Sequence, residues 1–167
     1  MGSIVMLTPH QFLVERELKR YAQNKSNKKI LEVGSGKNSS KRFFPYCDFL
    51  STDIKNFPGI SELADVTNLK YKSNSFDIVL CISVLEHVKN YQKAVDEIYR
   101  VLKSHGEAVV AVPFLFPLHD TPHDYWRFTE YALKEIFKKF SSVKIKPVII
   151  SKALWRFVLD YFVVAKK

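Results

Sequence analysis

Cysteine is scarce in this chain: Cys47 and Cys81 are the two among 167 residues, and no CxxC pair occurs. Two isolated thiols build neither a disulfide framework nor a cysteine-ligated zinc or iron–sulfur centre, and a reducing cytoplasm is the expected setting. Long apolar runs are absent as well. No stretch approaches the roughly 20 residues that span a bilayer, and the first residues lack the basic segment and cleavage site of a secretory leader. Neither membrane insertion nor secretion is expected. Glycine numbers five and proline seven, without repeats or low-complexity segments, which excludes collagen-like and disordered chains. The sequence also lacks an arginine-rich block or an RNP-like aromatic segment, so its formal charge of +9 leaves nucleic acid open as a partner without favouring it.

What is there suffices for one folded domain over residues 1–167: 47% of the residues are hydrophobic and 14% aromatic. Thr8-Pro9 reads as an N-cap with proline at the first helical position, followed by Phe12, Leu13, Leu18 and Tyr21, so residues 1–28 form an N-terminal helix region. Strands are expected at Lys29–Val33, Cys47–Thr52, Ile60–Ala64, Phe76–Ile82 and Glu107–Val112, with closing strands at Val143–Ile150 and Tyr161–Ala165. Helical spacing marks Asn90–Lys103, which Ser104-His105-Gly106 ends, and Thr129 caps a helix reaching Phe140. Ala153–Val158 reads as a short helix between the closing strands. This alternation specifies an α/β fold with a mainly parallel sheet and helices on both faces.

In such a sheet, ligands lie beyond the carboxyl ends of the strands. At the end of the first strand stands Glu32-Val33-Gly34-Ser35-Gly36-Lys37-Asn38, a glycine turn that lets a ligand approach the backbone and the amides of a following helix start. Asp53 ends the second strand, where a carboxylate accepts hydrogen bonds from a ribose diol. This pair suits NAD and S-adenosylmethionine alike. Neither G-x-G-x-x-G nor G-x-G-x-G is complete, because Ser39 and Asn38 stand where the third glycine would be. Asn38 is nonetheless the residue that best tolerates positive φ in glycine's place.

With Ala64-Asp65-Val66 and the run from Phe76 to Val88, these motifs resemble the class I S-adenosylmethionine-dependent methyltransferases, specifically the methyltransferase type 11 group. The resemblance is close over Lys29–Phe114. It implies a Rossmann-like, seven-stranded sheet with an antiparallel last strand, and methyl transfer from S-adenosylmethionine, which leaves S-adenosylhomocysteine. It also implies cofactor contacts at Glu32, Gly34, Ser35, Gly36, Asp53, Ile54, Asp65, Val66, Cys81 and Ser83.

For the acceptor, the informative segment is residues 114–128, which concentrates His119, Asp120, His123, Asp124, Tyr125 and Arg127 beyond the fifth strand. Polar residues clustered in a loop are a poor core, so Asp120, Asp124, Tyr125 and Arg127 are expected to bind the acceptor. Arg127 can instead pair with Asp124 or Asp120, and Trp126 and Phe128 are expected to pack. His119 and His123 are the first choices for a proton receiver, and His87 either joins them or caps a helix. The pairs His119-Asp120 and His123-Asp124 have a spacing that could suit a divalent ion, but no metal is assigned from the sequence. A small or carbohydrate-like acceptor bearing a hydroxyl or amine is favoured over nucleic acid. The sequence also leaves open a methyltransferase-fold subunit that acts through a partner, and an oligomer.

Overall fold

The computed structural model describes residues 8–150 and 157–167. Seven strands form one sheet: β1 (Lys29–Val33), β2 (Asp48–Asp53), β3 (Glu62–Leu63), β4 (Phe76–Ile82), β5 (Leu102–Pro113), β6 (Ser142–Ile149) and β7 (Val158–Lys166). Their order is β3-β2-β1-β4-β5-β7-β6. The first five are parallel to one another, while β7 runs antiparallel to both β5 and β6. Strand order therefore reverses between β1 and β4, the place where a doubly wound sheet opens a crevice.

Helices cover both faces, as the alternation requires. α2 (Tyr91–Val101) and α3 (Glu130–Ile136) pack on one face through Ala94, Val95, Ile98, Leu133 and Ile136, against Val79, Cys81 and Val110. α1 (Pro9–Ala22) covers the other with Leu13, Val14, Leu18 and Ala22 over Ile30, Leu80 and Val109. Each fully buried Leu, Ile or Val contributes about 1.5–3 kcal/mol by leaving water. β4 is apolar on both faces because both are covered: Phe76, Ile78, Val79, Leu80 and Cys81 are all buried.

α1 begins as the sequence indicates. Thr8 Oγ1 accepts from the Gln11 amide, Gln11 Oε1 accepts from the Thr8 amide, and Pro9 opens the helix. Two polar contacts then pin α1 to the last strands: His10 Nδ1 lies 2.7 Å from Asp160 Oδ2, and Glu17 receives Lys146, Arg20 and Arg16. Burial raises the Glu17 pKa, but the Lys146 hydrogen bond and the three cations outweigh it and hold the group below its usual value. A depressed folded pKa gives stability that is present above the unfolded pKa and lost as pH falls through the folded one. We therefore expect Glu17→Gln to melt lower than the native chain at pH 7, with the gap closing in acid. A gap that stays constant down to pH 3 in thermal melts would show that this ion cluster does not secure the helix.

The structure corrects several boundaries. The helix expected to reach Lys103 stops at Val101, and Leu102 already pairs with Phe76 in the sheet. Ser104-His105-Gly106 is an irregularity inside β5 rather than a break before it, because pairing jumps from Leu102 to Glu107 over two residues of β4. His105 takes φ 63° there. The third strand is shorter than Ile60–Ala64, and α3 stops at Ile136, after which Phe137 and Phe140 enter the core from a turn. No α-helix follows the glycine turn; a single 3-10 turn, Ser40–Phe43, does. Asn38 is not among the residues with positive φ. Most of the helix expected at Ala153–Val158 lies outside the described residues, and Val158 itself opens β7.

Candidate active site

The carboxyl ends of β1 and β4 and the inner face of α1 enclose a cavity of about 330 Å³, lined by Gly34, Ser35, Gly36, Ser83, His10 and Asp120 among others. The turn at its floor depends on two glycines in the left-handed region, Gly34 at φ 65° and Gly36 at φ 55°. Gly34 also abuts Val84, which leaves no room for a side chain.

Glu32 lines the cavity, but its buried carboxylate fastens the turn: it accepts from the Ser39 hydroxyl at 2.7 Å and the Ser40 amide at 2.9 Å. Burial raises its pKa against those hydrogen bonds. Ser35 anchors its amide on the Thr52 carbonyl, whereas its buried hydroxyl has no partner. Asp53 at the end of β2 is buried, with Oδ2 accepting from the Gly36 amide and Oδ1 from the Lys55 amide, each at 2.9 Å. A carboxylate oxygen has a second lone pair, so both remain able to accept from a ligand diol.

Ile54 is 73% exposed beside Asp53 and shares a second depression of about 320 Å³ with Asp65, Asn68 and Tyr71. Asp65 Oδ1 accepts from the amide and the hydroxyl of Thr67, both at 2.8 Å. Cys81 and Val66 belong instead to the core and line neither cavity. Burial pushes the Cys81 thiol far above its ordinary range, which suits an inert packing residue.

The 114–128 loop is largely fastened to itself. Arg127 grips Asp124 with both terminal nitrogens at 2.6 and 2.8 Å, and Asp124 also accepts from the His119 amide at 3.0 Å. Those contacts, led by Arg127, hold the Asp124 carboxyl well below the usual range. The Asp124 side chain is 1% exposed, and the pair staples the loop while both residues also line the depression described next. With Asp124 and Arg127, the loop's Phe114, Phe116, Leu118, Tyr125 and Trp126 wall a depression of about 600 Å³. This depression adjoins the glycine-turn cavity, since Phe116 packs on His10 with ring centroids 4.5 Å apart.

His123 is exposed, its ring 3.0 Å from the Tyr125 hydroxyl. His119 instead meets His87 edge to face, centroids 4.7 Å apart. His87 lies in a 3-10 turn, Leu85–His87, rather than capping an α-helix. Sequence reasoning missed the residue between these elements, Glu86, which is 0% exposed with both carboxylate oxygens unpartnered. Burial first, then the nearby Asp160 and Asp124, push its pKa up to about 8 against the pull of Arg127. An acid set between apolar Leu85 and Val88, in the turn that follows a buried strand, was the available signal. The buried His10–Asp160 contact had none, its members lying 150 positions apart.

A crevice at the reversal of strand order, a glycine turn and a carboxylate ending the next strand define a nucleoside-binding α/β protein. The chain belongs to the methyltransferase domain family, whose model matches residues 16–110. It is 41% identical over 103 residues to an uncharacterized protein of Methanocaldococcus jannaschii, covering 57% of this chain and 44% of that protein. It is 34% identical over 137 residues to the demethylmenaquinone methyltransferase of Paenarthrobacter aurescens, covering 71% and 51%. The chain thus spans about half the length of the curated relatives it matches. Its fold superposes with a TM-score of 0.74 on a SAM-dependent methyltransferase from Archaeoglobus fulgidus, at 18% identity and over 93% and 94% of the two chains. The cofactor is S-adenosylmethionine, and the residues present fit it: Gly34, Ser35 and Gly36 line the cavity, the space over Gly36 is open, and Asp53 holds the Gly36 amide from behind the turn.

Proposed function

We propose that the chain transfers a methyl group from S-adenosylmethionine to a hydroxyl or amine of a small, ring-bearing, carbohydrate-like acceptor. The observation that carries this reading is the contact between the cofactor cavity and the aromatic-walled depression through His10 and Phe116. When bound, S-adenosylmethionine supplies a methyl group already activated on a sulfonium. The chain's task is to hold two reactants in line and exclude water, which alone provides most of the acceleration. Gly34, Ser35, Gly36 and Asp53 orient the donor, with Ile54 and Asp65 beside the second depression. Tyr125 and Trp126 offer ring faces to the acceptor, and Asp120 lines the cofactor cavity. A proton leaving the acceptor passes to the polar cluster around His87, His119 and His123.

Radiolabelled S-adenosylmethionine incubated with a panel of small hydroxyl and amine acceptors tests the reading. Label transfer is expected, and His119→Ala should reduce turnover at saturating cofactor by about a hundredfold, a general-base loss of ordinary size. His123→Ala should reduce it less. Unchanged turnover in both variants would remove the histidines from the proton path.

The partner-dependent reading is supported by Leu115 and Leu118, 53% and 76% exposed at the rim of the depression. It expects cofactor binding without label transfer until a partner is added.

A further inference from the structure

We propose that Glu86, His87 and His119 form a divalent transition-metal centre beside the cofactor cavity. One ligand atom from each of the three side chains can be chosen so that all lie within 4.8 Å of one another, with His87 Nε2 3.9 Å from Glu86 Oε1. Three further observations point to an ion rather than chance proximity.

First, Glu86 is fully buried with neither carboxylate oxygen hydrogen-bonded. An unpartnered buried carboxyl is costly, and an ion is the group that would satisfy both oxygens. Second, both rings are oriented as metal-ligating histidines are. His87 Nδ1 lies 3.0 Å from the His123 carbonyl, and His119 Nδ1 lies 3.2 Å from both the Pro117 carbonyl and Asp124 Oδ2. A carbonyl only accepts, so Nδ1 carries the proton and Nε2 of each ring keeps its lone pair. Third, Asp120 Oδ2 stands 4.0 Å from His87 Nε2 on an exposed side chain at φ 48°, a residue that also lines the cofactor cavity. It is a ready fourth ligand facing the reactants.

Two imidazoles with a carboxylate select zinc, manganese or iron(II) over calcium and magnesium, which prefer all-oxygen shells. The ligand atoms stand about 1 Å further apart than in a closed tetrahedral shell, so binding would draw the two rings inward. The catalytic role rests on the methyl-transfer reading: with an ion bound, His87 and His119 would serve it as ligands in place of acting as bases, and the ion would polarise an acceptor hydroxyl and ease loss of its proton. Metal binding itself does not rest on it.

The test uses the whole chain without a histidine tag, stripped with chelator and then titrated with Zn²⁺ and with Mn²⁺ by calorimetry, Mn²⁺ also by electron paramagnetic resonance. One equivalent should bind. Glu86→Gln and His119→Ala should each weaken binding at least tenfold while circular dichroism remains native. His105→Asn, which removes a surface histidine remote from the cluster, should leave it unchanged. No stoichiometric binding at micromolar free ion overturns the proposal, as does binding that survives both cluster variants. Titration with S-adenosylhomocysteine separates the two ideas: cofactor binding without metal binding sinks the centre alone, and metal binding without cofactor binding sinks the methyl-transfer reading alone.

Discussion

Gly34→Ala is expected to lower the stability of the fold by about 3 kcal/mol, the sum of two independent costs. At φ 65° an L-residue costs about 1–2 kcal/mol relative to glycine. The added Cβ would then stand 2.4 Å from Val84 Cγ2 and 3.2 Å from Cγ1. Val84 is β-branched, with little rotamer freedom to retreat, so the overlap adds about 1–3 kcal/mol. Gly36→Ala is the informative control: it carries the same kind of backbone strain at φ 55°, but its Cβ meets nothing within 4 Å. It should lose only the backbone share of stability while projecting a methyl into the cavity and weakening cofactor binding. Urea denaturation of both variants decides the matter, and equal midpoints would show that Val84 does not confine the turn.

The largest effect on binding is expected at Asp53. Asp53→Ala removes the carboxylate proposed to meet the ribose hydroxyls, for an expected loss of about 3 kcal/mol in charge-assisted hydrogen bonds, or roughly a hundredfold in affinity for S-adenosylhomocysteine. The same substitution strips an acceptor from the Gly36 and Lys55 amides, so part of the loss comes through the turn. Asp53→Asn keeps a side-chain oxygen for the Gly36 amide and separates the contributions. It should retain the native melting temperature more nearly than Asp53→Ala while still binding weakly. Calorimetric affinities for either variant within threefold of the native chain would place the ribose elsewhere.

Where the chain's local signals agreed with one another, the fold was readable. β4 runs from Phe76 to Ile82 as its apolar sequence indicates, and the capped start of α1 follows from Thr8-Pro9. The reading failed where one pattern serves two structures. Val101 and Leu102 continue the periodicity of α2, yet Leu102 is equally suited to the buried start of β5, and pairing with Phe76 decides it. Phe137 and Phe140 likewise mimic another helical turn while packing from a bend.

The placement of Gly34 and Asp53 at adjoining strand ends was legible because any parallel sheet gathers its strand ends together. Glu86 escaped notice because its significance lies in what is missing around its oxygens, a property of packing rather than of spacing. The staple of Arg127 on Asp124 was one of two pairings the loop allowed, and only the folded chain chooses between them.

Covering a sheet face is not the only task of α1. His10, Gln11, Val14 and Leu18 also line the cofactor cavity, so the helix that completes the core is the same one that closes the ligand's surroundings. Docking of this helix and occupancy of the cavity are therefore linked equilibria. A ligand touching those four side chains binds only the docked form, and each tenfold excess over its dissociation constant deepens that form by about 1.4 kcal/mol. The rate at which the amides of α1 open to solvent thereby becomes a gauge of how full the cavity is.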